Sequence, residues 1–507
     1  MNKNWILLLL ALCLSTGCWK SSPKLGPKTE HKEPRLVMLY VSCSVNRDYL
    51  SPYSENSNFT PALQSLADDG VVFRRHTTPS GHSGPTFASI FTGLDVEGHL
   101  VFRHPAVLPE NLYLITEAFA DRGYDAHYWG GHGMASGHLN YDQGAEESQS
   151  HILEPLTADD EEFQKIIERL KSDPDYKALV VSVGSRTHFP YVGGLYEEFV
   201  EQFPEHKVDL PAKRFQELHK EYYQNHLAYS LAFDQTAAER GLSEKDKEQL
   251  TQVVDAVYKA SVYELDKDVG RLLTAIDDAG LKDDSLIAFT VDHGEVMTTE
   301  TAPHRWTHGY MVTPEMMNVP LLIRGPAVKA KVVESVSRAV DVFPTLMALS
   351  GRALSAEHKI DGQDFSAAAA GTGEAPKVKA PFHTSLMLTS YYDTHHKMLA
   401  LSDYLKAHFS SEGPETIWTG SRDMDTLYVY RPDGKEWGLQ VFDLATDPIM
   451  KKNLYDESNP EHKTALEELA ARKQNIVKTF EEKQDIIKEM RIPEEVEKEK
   501  LKSLNYI

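Results

Sequence analysis

Residues 35–50 read RLVMLYVSCSVNRDYL, and the first half of that stretch decides how the rest of the chain is read. Residues 36–41 are an unbroken run of apolar, β-prone side chains. A strand with one wet face would alternate apolar and polar residues; the continuous run predicts a strand buried on both faces, as in the middle of a parallel sheet. The run breaks into Ser42, Cys43 and Ser44. In an open parallel sheet, ligands bind beyond the carboxyl ends of the strands. A metal enzyme would place an aspartate there, and this chain places Ser-Cys-Ser.

Outward from this strand, β and α patterns alternate. TPALQSLADDG (60–70) has Leu63 and Leu66 at helical spacing and Gly70 as a stop. VVFRRHTT (71–78) is extended, and FASIFTGL (87–94) follows a Gly/Pro-rich turn as a buried helix. NLYLITEAFADRGYDAHYWG (111–130) reads as helix, Gly123 cap and strand. EEFQKIIERLKSD (161–173) is an amphipathic helix leading into the buried strand ALVVSV (178–183). Residues 210–280 are strongly helical, SLIAFTV (285–291) is a strand ended by Asp292-His293-Gly294, and VPLLIRGP (319–326) is another. Repeated β-α units predict an α/β fold with a large, mostly parallel sheet sandwiched by helices. Residues 369–379, AAGTGEAPKVK, read as a linker. Beyond them, TLYVYRPDGKEWGLQVFDL (426–444) is two β runs joined by Pro-Asp-Gly, which predicts a smaller antiparallel-sheet subdomain. The expected divisions are 35–370 for the main domain, 371–460 for the C-terminal α+β subdomain and 461–507 for a charged helical tail on the surface. No internal repeat is visible.

The 507 residues carry a formal charge of -23. That balance argues against a nucleic-acid binder, because nothing offsets phosphate repulsion. It leaves open a small anionic substrate, which answers to the local field. Lys3, the apolar run 5–14 and LSTGC ending at Cys18 have the length of a signal peptide, too short to span and stay as an anchor. The pattern resembles a bacterial lipoprotein signal, with cleavage after Gly17 and lipid on Cys18; Ser15 stands where such signals usually carry leucine. Ordinary secretion with cleavage nearby is the plainer alternative. Residues 18–34 then form a flexible Pro/Lys/Ser tether. The expected location is the cell envelope, lipid-anchored to a bacterial membrane; Trp19, in place of an aspartate, favours the outer one. With Cys13 removed and Cys18 lipidated, Cys43 is alone and no intrachain disulfide can form.

Four stretches could carry chemistry. Asp292 and His293 close a buried strand and offer carboxylate oxygen and imidazole nitrogen to one metal ion. SGHSGPTFASIFTG (80–93) presents Ser83 and backbone N–H groups at a helix start, which suits a sulfate or phosphate oxyanion. Ser83 becomes a nucleophile if a metal lowers its pKa; otherwise it is a capping serine. SRTHFPY (185–191) places His188 after a strand. HRWTHGY (304–310) holds His304 and His308 four apart, a zinc-pair spacing on a helix. Pro303 and Gly309 make the segment a loop, so one functional histidine is expected there.

Taken in order, TPALQSLADDGVVF, SGPTFASIFTGL, LPENLYLITEAFADRGYDAHYWGG with YDQGAEE, THFPY, YELDKDVGRLLTAIDDAGL, FTVDHGE, WTHGYMVTPEMMNVPLLIRGP, VDVFPTLMALSG and LQVFDLATDPIMKKNL resemble the sulfatase family of the alkaline phosphatase superfamily, over residues 35–453. The resemblance implies a hydrolase of sulfate or phosphate/phosphonate esters that depends on one divalent metal ion (Ca, Mg, Mn or Zn). It implies Ser83 as nucleophile and metal-facing group, Asp292 and His293 as late metal ligands, and His188 and His308 as groups that stabilise charge or protonate the leaving group. The implied substrate is a small anionic ester or a sulfated or phosphorylated glycan or lipid.

Two departures from the family pattern stand out. Phe87 replaces the basic residue four positions after the nucleophile, on which conversion of Ser83 to formylglycine relies, so a direct serine hydroxyl is expected. The first strand ends in Ser42-Cys43 in place of the first carboxylate ligand, with Val45 for arginine and Asp48 retained as a structural aspartate. Ser42 as a weak ligand, or Cys43 as a thiolate that favours zinc over calcium, would have to substitute. The alternative is a catalytically impaired binding module of the same fold. A lipid head-group transferase ranks behind both, because related transferases carry several membrane spans. The loops of residues 191–255 and the C-terminal subdomain are expected to shape the substrate pocket.

Overall fold

The computed structural model describes residues 26–104, 106–149, 155–298, 304–309, 312–383, 386–387, 417–430 and 438–490. The signal-peptide and Cys18 readings and the far end of the tail lie outside these residues. Among the described residues, no helix is long and apolar enough to cross a membrane.

An eight-stranded sheet carries the fold. Its strands are β1 (Leu36–Ser42), β2 (Val71–Thr77), β4 (Asp125–Gly130), β5 (Glu147–Ser148), β6 (Ala178–Gly184), β7 (Ser285–Val291), β8 (Leu321–Arg324) and β9 (Lys331–Arg338). The spatial order is β5-β4-β6-β1-β7-β8-β2-β9. Only β8 runs against its neighbours β7 and β2; the other pairs are parallel. β1 lies between β6 and β7, with Ser42 opposite Gly184 and Val291. Every residue of β1, β6 and β7 is buried, which is why these three segments read as continuous apolar runs.

The two faces of β1 enter two cores. Leu36, Met38 and Tyr40 pack into the layer that holds the long helix Glu244–Asp278. Val37, Leu39 and Val41 face the layer built from the helices Ser83–Thr92 and Val342–Leu349. Each fully buried Val, Leu or Ile contributes about 1.5–3 kcal/mol of transfer free energy.

A four-stranded antiparallel sheet orders β10 (Ala380–His383), β12 (Thr419–Asp423), β13 (Thr426–Tyr430) and β14 (Leu439–Asp443) in that sequence. A two-stranded sheet joins β3 (Arg103–His104) to β11 (Leu386–Met387). The hairpin expected from TLYVYRPDGKEWGLQVFDL is the β13–β14 pair.

Two parts of the chain differ from the sequence expectation. The segment read as the end of a free tether lies against the body: Thr29 N–H donates to Gly351 O at 3.0 Å, and Glu33 pairs with Arg122 at 2.9 Å. The tail helix Pro460–Glu482 buries Ala465, Leu469, Ile476 and Phe480, together with Lys473, whose Nζ donates to Ile417 O at 2.7 Å. Its Ile476 and Phe480 enter the second core, and the Phe480 ring meets Phe102 edge-on at 5.5 Å. Ala465, Leu469, Ile476 and Phe480 recur at helical spacing, and the charges between them hid that face in the sequence.

Candidate functional site

The carboxyl ends of five parallel strands converge on one buried centre. His132 follows β4, His188 follows β6, Cys43 follows β1, and Asp292, His293 and Glu295 follow β7. The loop after β2 brings in His82 and Ser83, the latter opening the helix Ser83–Thr92. All these side chains are buried, between 0% and 7% exposed, so a ligand bound here meets little competing water.

Ser83 Oγ lies 3.2 Å from His293 Nε2 and 3.6 Å from Cys43 Sγ, and Cys43 Sγ lies 3.9 Å from His293 Nε2. His293 Nδ1–H donates to its neighbour's carbonyl, Gly294 O, at 2.9 Å. That bond assigns the tautomer and leaves the lone pair on Nε2, directed at Ser83 and Cys43. Asp292 Oδ1 accepts the N–H of His293 at 2.6 Å and of Ser44 at 3.2 Å, while its Oδ2 accepts no hydrogen bond and lies 3.4 Å from the unprotonated His293 Nε2. Ser44 sits at φ 57°, an unusual conformation for a non-glycine residue. The turn it makes costs on the order of 1 kcal/mol, and it aims the Ser44 N–H at Asp292.

Ligand atoms of Cys43, Asp292 and His293 lie within 4.8 Å of one another, and so do those of Cys43, His132 and His188. The first group is the better cation site, because it contains a carboxylate oxygen without a donor. In the second, His132 Nδ1 accepts the Met134 N–H at 3.1 Å, so this ring carries its proton on Nε2 and acts as a donor. Burial raises the Cys43 thiol well above its ordinary value, and the Asp292 charge adds to the effect. A bound dication would reverse that balance.

Two histidines differ in character. Burial pushes the His188 pKa down to about 3, and its Nδ1–H donates to Phe189 O at 2.6 Å. It is a neutral imidazole at physiological pH with its lone pair on Nε2, so it accepts a hydrogen bond and does not donate a proton. His308 Nδ1 lies 3.0 Å from Glu295 Oε2 and 3.3 Å from Ser44 Oγ, so a carboxyl group orients its ring. Burial, reinforced by Asp292, raises the Glu295 pKa well above the usual carboxylate range.

The structure brings Ser83, His188, His308, Asp292 and His293 together, with the His308 ring 4.1 Å from that of His293 and 5.1 Å from that of His188 between centroids. It separates the two proposed substitute ligands. Ser42 Oγ is buried and makes no hydrogen bond, whereas Cys43 Sγ lies 3.6 Å from Ser83 Oγ and 3.9 Å from His293 Nε2. Cys43 is the one of the pair that joins Asp292 and His293 in a compact group, because one step along the chain turns the side chain to the other face. His304 is not part of the centre; its Nδ1 bonds Leu231 O at 3.1 Å. Phe87 packs against Phe91 and His132, at 6.1 and 5.4 Å between ring centroids, as an apolar wall.

Sequence reasoning missed His132, Glu295 and Ser44. His132 could have been found from its place in Gly-Gly-His-Gly just beyond a strand end, and Glu295 from its position beside Asp292-His293-Gly294.

A family model described as Sulfatase matches residues 36–352. The chain is 30% identical to arylsulfatase A of Bos taurus over 220 residues, a match spanning 41% of each protein. It is 22% identical over 500 residues to the ulvan-active sulfatase of Formosa agariphila, covering 91% of this chain and 85% of that one. Among solved structures, the phosphonate monoester hydrolase of Agrobacterium radiobacter superposes with a TM-score of 0.61 at 21% identity, covering 87% of this chain and 95% of that one. A protein solved in complex with its substrate D-glucosamine-2-N,6-O-disulfate superposes with a TM-score of 0.64 at 16% identity, covering 88% and 98%. With the family model covering most of the chain and the five strand ends assembled as described, this chain belongs to the sulfatase family.

Proposed function

We propose that the protein hydrolyses sulfate or phosphate/phosphonate esters with the Ser83 hydroxyl as nucleophile and one divalent metal ion held by Cys43, Asp292 and His293. The observation that carries this reading is the buried Asp292 Oδ2, which lacks a hydrogen-bond donor and lies in a compact sulfur, oxygen and nitrogen ligand group. A buried carboxylate oxygen in that state is costly unless a cation or donor meets it. The mixed thiolate, carboxylate and imidazole set suits zinc better than calcium or magnesium.

A divalent ion bound there would polarise the ester oxygens and ease loss of the serine proton. The chain's own residues supply the rest. The start of the helix Ser83–Thr92 sets the Ser83 oxygen where free backbone N–H groups favour an oxyanion. His132 donates its Nε2–H to that oxyanion, while neutral His188, its Nδ1–H held by Phe189 O, presents an Nε2 lone pair that accepts a hydrogen bond from the substrate. His308, positioned by Glu295, protonates the leaving oxygen. Phe87 offers no basic side chain, so the serine acts unmodified.

The sulfated saccharide bound by one structural relative and the ulvan-active relative favour a sulfated glycan, and the phosphonate monoester hydrolase keeps phosphorus esters in the test. The full chain, assayed on aryl sulfate, phosphate monoester, phosphodiester and phosphonate with Zn, Mn, Mg or Ca, should turn over at least one ester. It should lose that activity in Ser83→Ala and on chelation. Absence of turnover across the panel, together with no stoichiometric metal, would identify a non-catalytic binding module instead. We also propose that lipid on Cys18 holds the protein at a bacterial cell envelope; incorporation of labelled palmitate, lost in Cys18→Ala, tests this.

A further inference from the structure

A second cleft, about 450 Å³, opens between the loop after β1, strand β2 and the β12–β13 turn. Arg47, Arg74, Arg75 and Arg422 line it, facing Asp48, Glu315 and Asp425. The carboxylates are largely committed. Asp425 accepts both Arg75 Nε and Nη2, at 2.8 and 2.9 Å. Glu315 Oε1 accepts the Asn46 side-chain amide and the Met297 N–H, each at 3.3 Å. Asp48 is 64% exposed, and its oxygen lies 3.8 Å from Arg47 Nε.

Two guanidiniums are left poorly compensated. The Arg422 side chain is only 5% exposed, and its hydrogen bonds go to neutral oxygens, Met424 O and Asn318 Oδ1; Asp425 lies 3.6 Å away. Arg47 donates Nη1 to Arg74 O and lies against the Tyr53 ring, but its buried Nε makes no hydrogen bond. Burial and the Arg47 charge push the Arg422 pKa down to about 10. Buried charges persist when they are paired, and guanidinium forks fit the oxygens of sulfate, phosphate or carboxylate.

From this arrangement we infer that the cleft is a second oxyanion site, formed by Arg47 and Arg422, distinct from the Ser83 centre. Asn46 joins the two places, since its side chain donates to Glu295 O at 3.0 Å and lines the cleft. The occupant is either a free oxyanion or a second anionic group on a substrate.

Titration of the full chain with inorganic sulfate, at ionic strength matched with chloride, tests the site. Asp292→Asn disables the Ser83 centre, so a saturable sulfate event that survives this change reports the cleft. In that background Arg47→Gln should weaken sulfate at least tenfold, and Arg47→Lys should weaken it less. Arg422→Lys provides a second variant that keeps the charge but removes the fork, and it too should weaken binding. Displacement of sulfate by a disulfated saccharide identifies a substrate group as occupant, and failure to displace it assigns a free ion. Sulfate binding that vanishes with Asp292→Asn, or is unchanged by Arg47→Gln, overturns the inference. Neither result depends on whether the protein turns over an ester.

Discussion

Ser83 Oγ stands 3.2 Å from the Nε2 of His293, a ring whose other nitrogen is fixed by the Gly294 carbonyl. The serine hydroxyl therefore has one strong acceptor and one orientation. Removing it takes away the proposed nucleophile and leaves the surrounding donors. Ser83→Ala should lower kcat by at least about 10³-fold, the scale seen when a nucleophile is lost but binding groups stay. Thermal unfolding should be little changed, and steady-state kinetics with the best ester checks the rate.

In the proposed metal site Cys43 would supply sulfur, and Asp292 and His293 oxygen and nitrogen. Cys43→Asp should move metal preference from zinc toward manganese, magnesium or calcium, and Cys43→Ser should lower bound metal overall. Metal analysis of the purified protein reads both. A cobalt-loaded wild type should show a thiolate charge-transfer band that is absent in Cys43→Ser.

His308 is proposed to protonate the leaving oxygen, oriented by Glu295. His308→Asn should slow esters of poorly departing alcohols by about 10²–10⁴-fold and spare nitrophenyl esters, which need little protonation. Glu295→Gln should act in the same direction with a smaller effect. A uniform loss across leaving groups would instead assign His308 to charge stabilisation.

His99 should contribute to acid lability. Its Nδ1 accepts the Val101 N–H at 3.0 Å, its Nε2 bonds Ser89 Oγ at 3.1 Å, and burial depresses its pKa to about 3. The folded state holds it neutral while the unfolded chain takes up a proton near pH 6.5. Stability is thus present above that pH and is lost as pH falls toward 3, with a slope approaching about 1.4 kcal/mol per pH unit from this group. Urea unfolding of His99→Gln between pH 7 and 4 should show a shallower slope by about one proton.

Phe480 reaches from the tail helix into the second core against Phe102. Phe480→Ala should cost about 3–5 kcal/mol, the range for emptying a buried aromatic site. A surface tail would give a change below about 0.5 kcal/mol. Chemical denaturation distinguishes the two.

Much of this was legible in the chain. The runs at residues 36–41, 178–183 and 285–291 are buried on both faces, and that alone makes them central parallel strands. Their polar endings located Asp292, His293 and His188, and the Gly/Pro-rich turn located Ser83. Local pattern determines such features because strand burial and turn chemistry are written within a few neighbouring residues.

Tertiary structure alone decided what depends on direction and distance. Ser42 and Cys43 are adjacent in sequence, yet it is the Cys43 sulfur that meets Ser83 and His293 while Ser42 Oγ makes no hydrogen bond, since successive side chains along a strand leave on opposite faces. His304 and His308 are four apart in an irregular loop, and only the fold sends one to Leu231 O and the other to Glu295. His132 joins the centre from β4, two strands away from β1. Its role follows from sheet order, which no local spacing encodes.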